Sequence, residues 1–150
     1  MNAEKTKNRK APLSESVRYG LSNIEILEFN LKQINESDFN HEKLSGNLGV
    51  SGDYEEELSE VKVTINVRIE KNGENPKQIG NLKVMFSYYV DGLEKLEDED
   101  GGILPKSMVD TFNAISISTT RGILFTKFQA TILDNFILPL IDHTKLTSNY

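Results

Sequence analysis

The stretch ELSEVKVTINVRIEK, residues 57–71, constrains the fold more than any other part of the chain. Val61, Val63, Ile65, Val67 and Ile69 share one parity, and Lys62, Thr64, Asn66, Arg68 and Glu70 share the other. Side chains alternate between faces along a strand, and β-branched residues suit a pleated surface. This run therefore predicts a half-buried antiparallel strand. The segment KNGENP (71–76) reads as a turn in which Asn72 and Gly73 can take positive φ. Leu82, Val84, Phe86, Tyr88 and Val90 then mark one face of a second long strand, opposite Lys83, Met85, Ser87 and Tyr89. A hairpin of strands 59–70 and 78–90 follows.

A sheet with one apolar face needs a second layer to bury it. The chain offers a helix that begins near Pro105, a residue suited to a first helical turn. Met108, Val109, Phe112, Ile115, Thr119 and Ile123 recur at three- and four-residue steps and predict its inward stripe. Asp110 falls early, and Arg121 and Lys127 late, as the helix dipole prefers. β-branched residues crowd its middle, so packing holds this helix more than propensity does. Beyond it, ATILDNFILPLIDHTKL is strongly apolar, and Pro139 blocks a continuing helix. This segment has to dock on something.

Ahead of the hairpin, residues 19–34 fit a strand with a change of phase. Ile24 and Ile26 share one parity, whereas Leu27, Phe29 and Leu31 share the other. A β-bulge near Leu27 accounts for the shift. A short helix is the alternative, because Leu21, Ile24 and Leu31 with Glu25 and Glu28 also fit a helical period. Residues 35–53 are rich in Asn, Asp, Ser and Gly. They read as a crossover loop with a weak strand at 43–50, where Leu44, Leu48 and Val50 share a parity.

The length of 150 residues suits one domain able to bury about two-thirds of its unfolded surface. We read residues 1–15 as a flexible basic tail and 16–150 as a single domain. The N-terminal MNAEKTKNRKAPLSES lacks the apolar core of a signal peptide, and no apolar run approaches a membrane span. The expectation is a cytoplasmic protein without membrane insertion. A net charge of −6 disfavours binding nucleic acid through phosphate neutralisation. With no cysteine, disulfides, thiolate metal sites and thiol catalysis are excluded.

Little chemistry is legible. His41 and His143 lack metal-ligand spacing and read as surface residues. The acidic loop DGLEKLEDEDGG (91–102) lacks the spacing of a calcium loop, and its charge would repel an anion at Gly101-Gly102. No phosphate loop, dinucleotide fingerprint or nucleophile elbow occurs. We therefore expect no enzyme activity, no cofactor and no metal, which leaves binding. Phe112, Phe125, Phe128, Phe136 and the Ile/Leu-rich tail exceed what one small sheet easily covers, which suggests an oligomer interface or a ligand groove.

The order of these elements is a strand, a polar crossover, a hairpin, an acidic connector, one long helix and an apolar tail. It resembles the SecB family of export chaperones over roughly residues 17–146. The likeness is carried by the aromatic positions Phe86, Tyr88 and Tyr89 leading into VDGLEKLEDEDG. It continues in Ser118-Thr119-Thr120-Arg121-Gly122 with Ile123-Leu124-Phe125, and in Leu138-Pro139-Leu140-Ile141. The resemblance implies an α+β fold, a four-stranded antiparallel sheet with one long helix packed on one face. It also implies a homotetramer, or else a dimer, that binds non-native polypeptides in apolar grooves without ATP. Some members serve protein export by delivering clients to the motor SecA, and related ones serve toxin–antitoxin modules. This chain ends in HTKLTSNY, unlike the acidic, Gly/Gln-rich tail through which export members touch SecA. The rival reading is an interaction protein with one dedicated folded partner in a toxin–antitoxin or mobile-element setting. For polypeptide binding we single out Leu44, Leu48, Val50 and Tyr54 in the crossover, with Phe112, Phe125 and Phe128. Each would serve equally well in the core.

Overall fold

Strand β3 (Glu60–Lys71) sits inside the sheet, and its five odd-numbered apolar residues are buried. The computed structural model describes residues 17–34, 39, 43–92, 96 and 104–142. Strand β4 (Lys77–Val90) pairs with β3 so that Val61 faces Tyr88, Val63 faces Phe86, Ile65 faces Val84 and Val67 faces Leu82. Directly opposite residues share a face, so these pairs fuse into one apolar surface. The hairpin is the predicted one, but Asn72 and Gly73 do not take positive φ. Five residues separate the two strands, and a loop of that length turns without the positive-φ pair that a two-residue connection needs.

The other two strands flank this pair in the order β1-β4-β3-β2, all neighbours antiparallel. Strand β1 (Tyr19–Leu31) runs along β4 with register breaks at Leu21/Asn23 and Ile26/Glu28. The second break is the bulge expected at Leu27, and it excludes the helical alternative. It brings Phe29 and Leu31 back to the face of Ile24 and Ile26, opposite Leu82, Gly80, Phe86 and Val84. The first break, at Ser22, was not legible in the sequence. There the Ser22 hydroxyl donates to the Ser87 carbonyl at 2.9 Å. Across the β1–β4 pair, the Tyr89 ring covers Gly20 so closely that a Cβ there would lie 2.7 Å from it.

Strand β2 (Leu44–Glu55) pairs with β3 without a break and extends further than the weak strand expected at 43–50. A 3-10 turn (Glu56–Leu58) and Ser59, at φ 51, carry the chain from β2 into β3. Nearby, Lys62 is held above its ordinary pKa, first by its hydrogen bond to Glu55 and further by Glu60.

Helix α1 (Lys106–Phe128) starts after Pro105, as expected, and lies on the apolar face over β3 and β4. Its inward stripe differs from the expected one. The buried residues are Met108, Phe112, Asn113, Ser116, Ile117, Thr120, Leu124 and Phe128, while Ile115 points outward and Thr119 and Ile123 are half-buried. Polar residues take inward places because their hydroxyls find partners there. Thr120 Oγ1 donates to the Ser116 carbonyl at 2.8 Å, and Tyr88 Oη lies 2.7 Å from Ser116 Oγ. Tyr88 also donates to the Phe112 carbonyl at 3.2 Å, and its ring stacks on Phe112 at 4.3 Å. Asp110 lies in the second turn and pairs with Lys106 at 2.9 Å.

Burial raises the pKa of Tyr88 above its ordinary 10.0, with the Ser116 hydrogen bond opposing the rise. Below the unfolded value both states keep the proton. Above it the unfolded chain ionises first, so stability falls as pH climbs from about 10 through the folded value. Urea denaturation between about pH 8 and about pH 11 should show this alkaline loss in wild type and less of it in Tyr88→Phe. At neutral pH the same variant should lose roughly 1–3 kcal/mol, because the hydroxyl's buried hydrogen bonds to Ser116 and to the Phe112 carbonyl both disappear.

Candidate polypeptide-binding surface

A helix is about 10 Å across, and strands lie about 4.8 Å apart. One helix therefore covers the central strands and leaves the flanks of a four-stranded sheet to other cover. The two flanks differ. On the β1 side, Leu21, Ile24, Ile26 and Leu27 remain exposed. A shallow groove of about 600 Å³ runs between this strand and α1, lined by Ile26, Thr119, Gly122, Ile123, Thr126 and Lys127. Its walls are mostly apolar, and the Thr126 hydroxyl turns back to donate to the Gly122 carbonyl at 3.0 Å. The Lys127 ammonium stands 5.4 Å from the centre of the Phe29 ring, a cation–π contact at the groove's end.

On the β2 side, Leu44, Leu48, Val50 and Tyr54 line the helix-facing side of the strand, half-buried against the core. Their spacing of two and four residues puts them on one face, as the sequence predicts for Leu44, Leu48 and Val50; Tyr54 joins them because β2 runs on to Glu55. The chain after α1 turns back over this strip through Ala130, at φ 60. Leu133 and Leu138 are buried there, and Phe136 meets Phe128 edge-on at 6.2 Å. Phe136 and Leu138 approach β2 where Gly46 leaves room. A Cβ at that position would lie 3.0 Å from the Phe136 ring and 3.1 Å from the Leu138 methyl. Ile137 and Leu140, in the same segment, point to solvent, Leu140 with 84% of its surface exposed.

The seven residues singled out from sequence therefore separate. Leu44, Leu48, Val50 and Tyr54 form one strip. Phe125, 52% exposed, stands on the outer side of α1. Phe112 and Phe128 belong to the core, at 0% and 1% exposure, and neither offers a side chain to a ligand. Phe112 is closed in by Tyr88 and by Tyr19 at 5.5 Å, and Phe128 by Phe29 at 6.3 Å and Phe136. The exposed β1 residues were missed. Their apolar pattern was visible in the sequence, but nothing there marked β1 as the strand left at an edge. His41, His143, the basic tail 1–15 and the acidic loop apart from Asp91, Gly92 and Leu96 lie outside the described residues.

Edge strands β1 and β2 also carry backbone N–H and C=O groups on their outer sides. A free edge pairs an extended peptide through these groups, while side chains of alternating direction enter neighbouring pockets. Two such edges bordered by apolar side chains form a surface suited to extended chains. Among the described residues no helix is long and apolar enough to cross a membrane.

Among solved structures, the fold is similar to that of a SecB-like chaperone from Mycobacterium tuberculosis in complex with a ChAD peptide from an antitoxin. The TM-score is 0.54 at 13% identity, over 83% of this chain and 91% of that one. At this identity the likeness is one of fold, and it agrees with the four-stranded antiparallel sheet and single long helix. A Streptococcus agalactiae protein of unknown function matches at TM-score 0.34 and 7% identity, over 85% of this chain and 98% of that one, too slight to argue from. No protein-family model and no curated protein matches the sequence.

Core and surface phenylalanines should respond differently to truncation. Phe112→Ala should cost roughly 3–5 kcal/mol in chemical denaturation, by losing burial and leaving a cavity. Phe125→Ala should stay within about 0.5 kcal/mol of wild type.

Proposed function

We propose that this protein is an ATP-independent chaperone that holds extended, non-native polypeptides and acts by binding, without turnover. The observation that supports this best is the pair of outer strands, β1 and β2, whose outer edges pair with no strand among the described residues and are bordered by apolar side chains. An unfolded client exposes apolar side chains and unpaired backbone groups together. The flanks of the sheet answer the first at about 25 cal/mol per Å² of apolar area buried. The strand edges answer the second. Many weak contacts share the affinity, so sequence preference is slight. Export, with hand-over to SecA, is one setting for such a protein in the cytoplasm.

The reading is tested by refolding an aggregation-prone client with the protein present. Wild type should delay the rise in turbidity, and no delay at equimolar protein would refute it. The Leu48→Ser/Phe125→Ser pair should fold and capture client about tenfold more weakly, which corresponds to about 1.4 kcal/mol of lost apolar contact. Unfolding of that pair would assign Leu48 to the core instead.

A second reading has its own support. The similar M. tuberculosis chaperone is bound to a peptide from an antitoxin. A protein of this fold could thus serve one dedicated partner, in a toxin–antitoxin or mobile-element setting. Affinity purification separates the two: a single stoichiometric companion favours the dedicated partner, and a heterogeneous set of unfolded chains favours the general holdase.

The exposed apolar residues of β1 and the outer side of α1 also support self-assembly, as a homotetramer or else a dimer. Light scattering at micromolar concentration should return a multiple of the 16.9 kDa chain mass. A monomer alone would overturn this.

A further inference from the structure

We infer that the segment after α1, residues 132–142, is a built-in competitor for polypeptide that occupies part of the β2 strip until a client displaces it. The inference rests on the polypeptide-binding reading and adds to it a mode of regulation and a description of the preferred client.

The segment is attached as a ligand would be. The Phe136 N–H donates to the Leu133 carbonyl at 2.8 Å, and among the described residues no backbone hydrogen bond ties 137–141 to the rest of the fold. Nearer its start the Asp134 N–H donates to the Thr131 carbonyl and the Leu133 N–H to Thr131 Oγ1, both at 3.1 Å, and Asp142 at its far end has a partner of its own. Over β2 the described contacts of the segment are side-chain contacts. Phe136 and Leu138, two residues apart, point to the sheet while Ile137 between them is 66% exposed, which is the alternation of an extended chain. The place they occupy is shaped for large side chains, since Gly46 replaces what would be a β-carbon 3.0–3.1 Å from both. At its root the segment turns through Ala130 at φ 60, a left-handed conformation that a residue with a Cβ adopts at a cost. Side-chain anchoring of 136–138 and a strained root favour release, and an apolar seat favours replacement by another chain of the same pattern. The client preferred at this place is therefore an extended segment with an aromatic residue and a leucine-sized residue at i and i+2.

The probe is a labelled peptide with the sequence TILDNFILPLID, residues 131–142, titrated into the full-length chain. Phe136→Ser/Leu138→Ser removes the two anchors. That variant should bind the peptide about tenfold more tightly than wild type, the gain expected if the open form makes up about one molecule in ten. Adding Gly46→Val should abolish the gain by filling the seat. Equal binding by wild type and the Ser variant would overturn the inference.

A second measurement does not depend on that variant folding. The chain contains no cysteine, so Leu138→Cys supplies a single buried thiol. Saturation with the peptide should accelerate maleimide labelling several-fold, and an unchanged or slower rate would overturn the inference. The outcomes for holding clients and for the competitor are distinguishable. A wild type that protects clients, while the Leu138→Cys variant labels at a constant rate, keeps the holdase reading and removes the competitor. Peptide binding enhanced in the Ser variant, without any protection of refolding clients by wild type, does the reverse.

Discussion

The structure depends on a mismatch of widths. The buried faces of β3 and β4, with Val61, Val63, Ile65, Val67 and Ile69 against Leu82, Val84, Phe86, Tyr88 and Val90, form an apolar plane that water must not reach. One helix of about 10 Å covers it. The flanking strands extend the same plane in both directions, and the helix reaches neither in full. On the β2 side the chain supplies its own cover in Leu133, Phe136 and Leu138. On the β1 side Leu21, Ile24 and Ile26 stay exposed beside a groove. The candidate functional surface is thus what remains when a single helix is set on four strands.

What fixes the helix on that plane is polar as well as apolar. Asn113, Ser116 and Thr120 are buried on the inward side of α1, where hydrophobic residues would bury more favourably. Tyr88 reaches up from β4 to Ser116 and to the Phe112 carbonyl while its ring stacks on Phe112. A hydroxyl buried without a partner costs roughly 1–3 kcal/mol, so this network penalises rotation of the helix about its axis. The rotation it selects turns Ile115 and Phe125 to solvent. Apolar exposure on α1 is therefore a consequence of satisfying the polar residues below it.

The two sheet edges are built differently. β1 is long, bears Glu25 and Glu28, and is bent by two bulges, devices that discourage indiscriminate edge pairing. β2 pairs without a register break, is rich in Gly and Ser, and lies next to the segment after α1.

Local pattern was enough to specify the hairpin, the bulge at Leu27, the start of α1 and the single parity of Leu44, Leu48 and Val50. Each follows from short-range periodicity or from the fixed geometry of proline, and such patterns survive whatever the rest of the chain does. Long-range packing settled which strands lie at the edges, which face of α1 turns inward, and where each phenylalanine goes. Phe112 and Phe125 occupy the same helix and have the same chemistry, yet one is sealed between Tyr88 and Tyr19 and the other is open to solvent. Their difference is set by partners distant in sequence: the hydroxyl of Tyr88, which fixes the rotation of the helix, and the width of a sheet that one helix cannot cover.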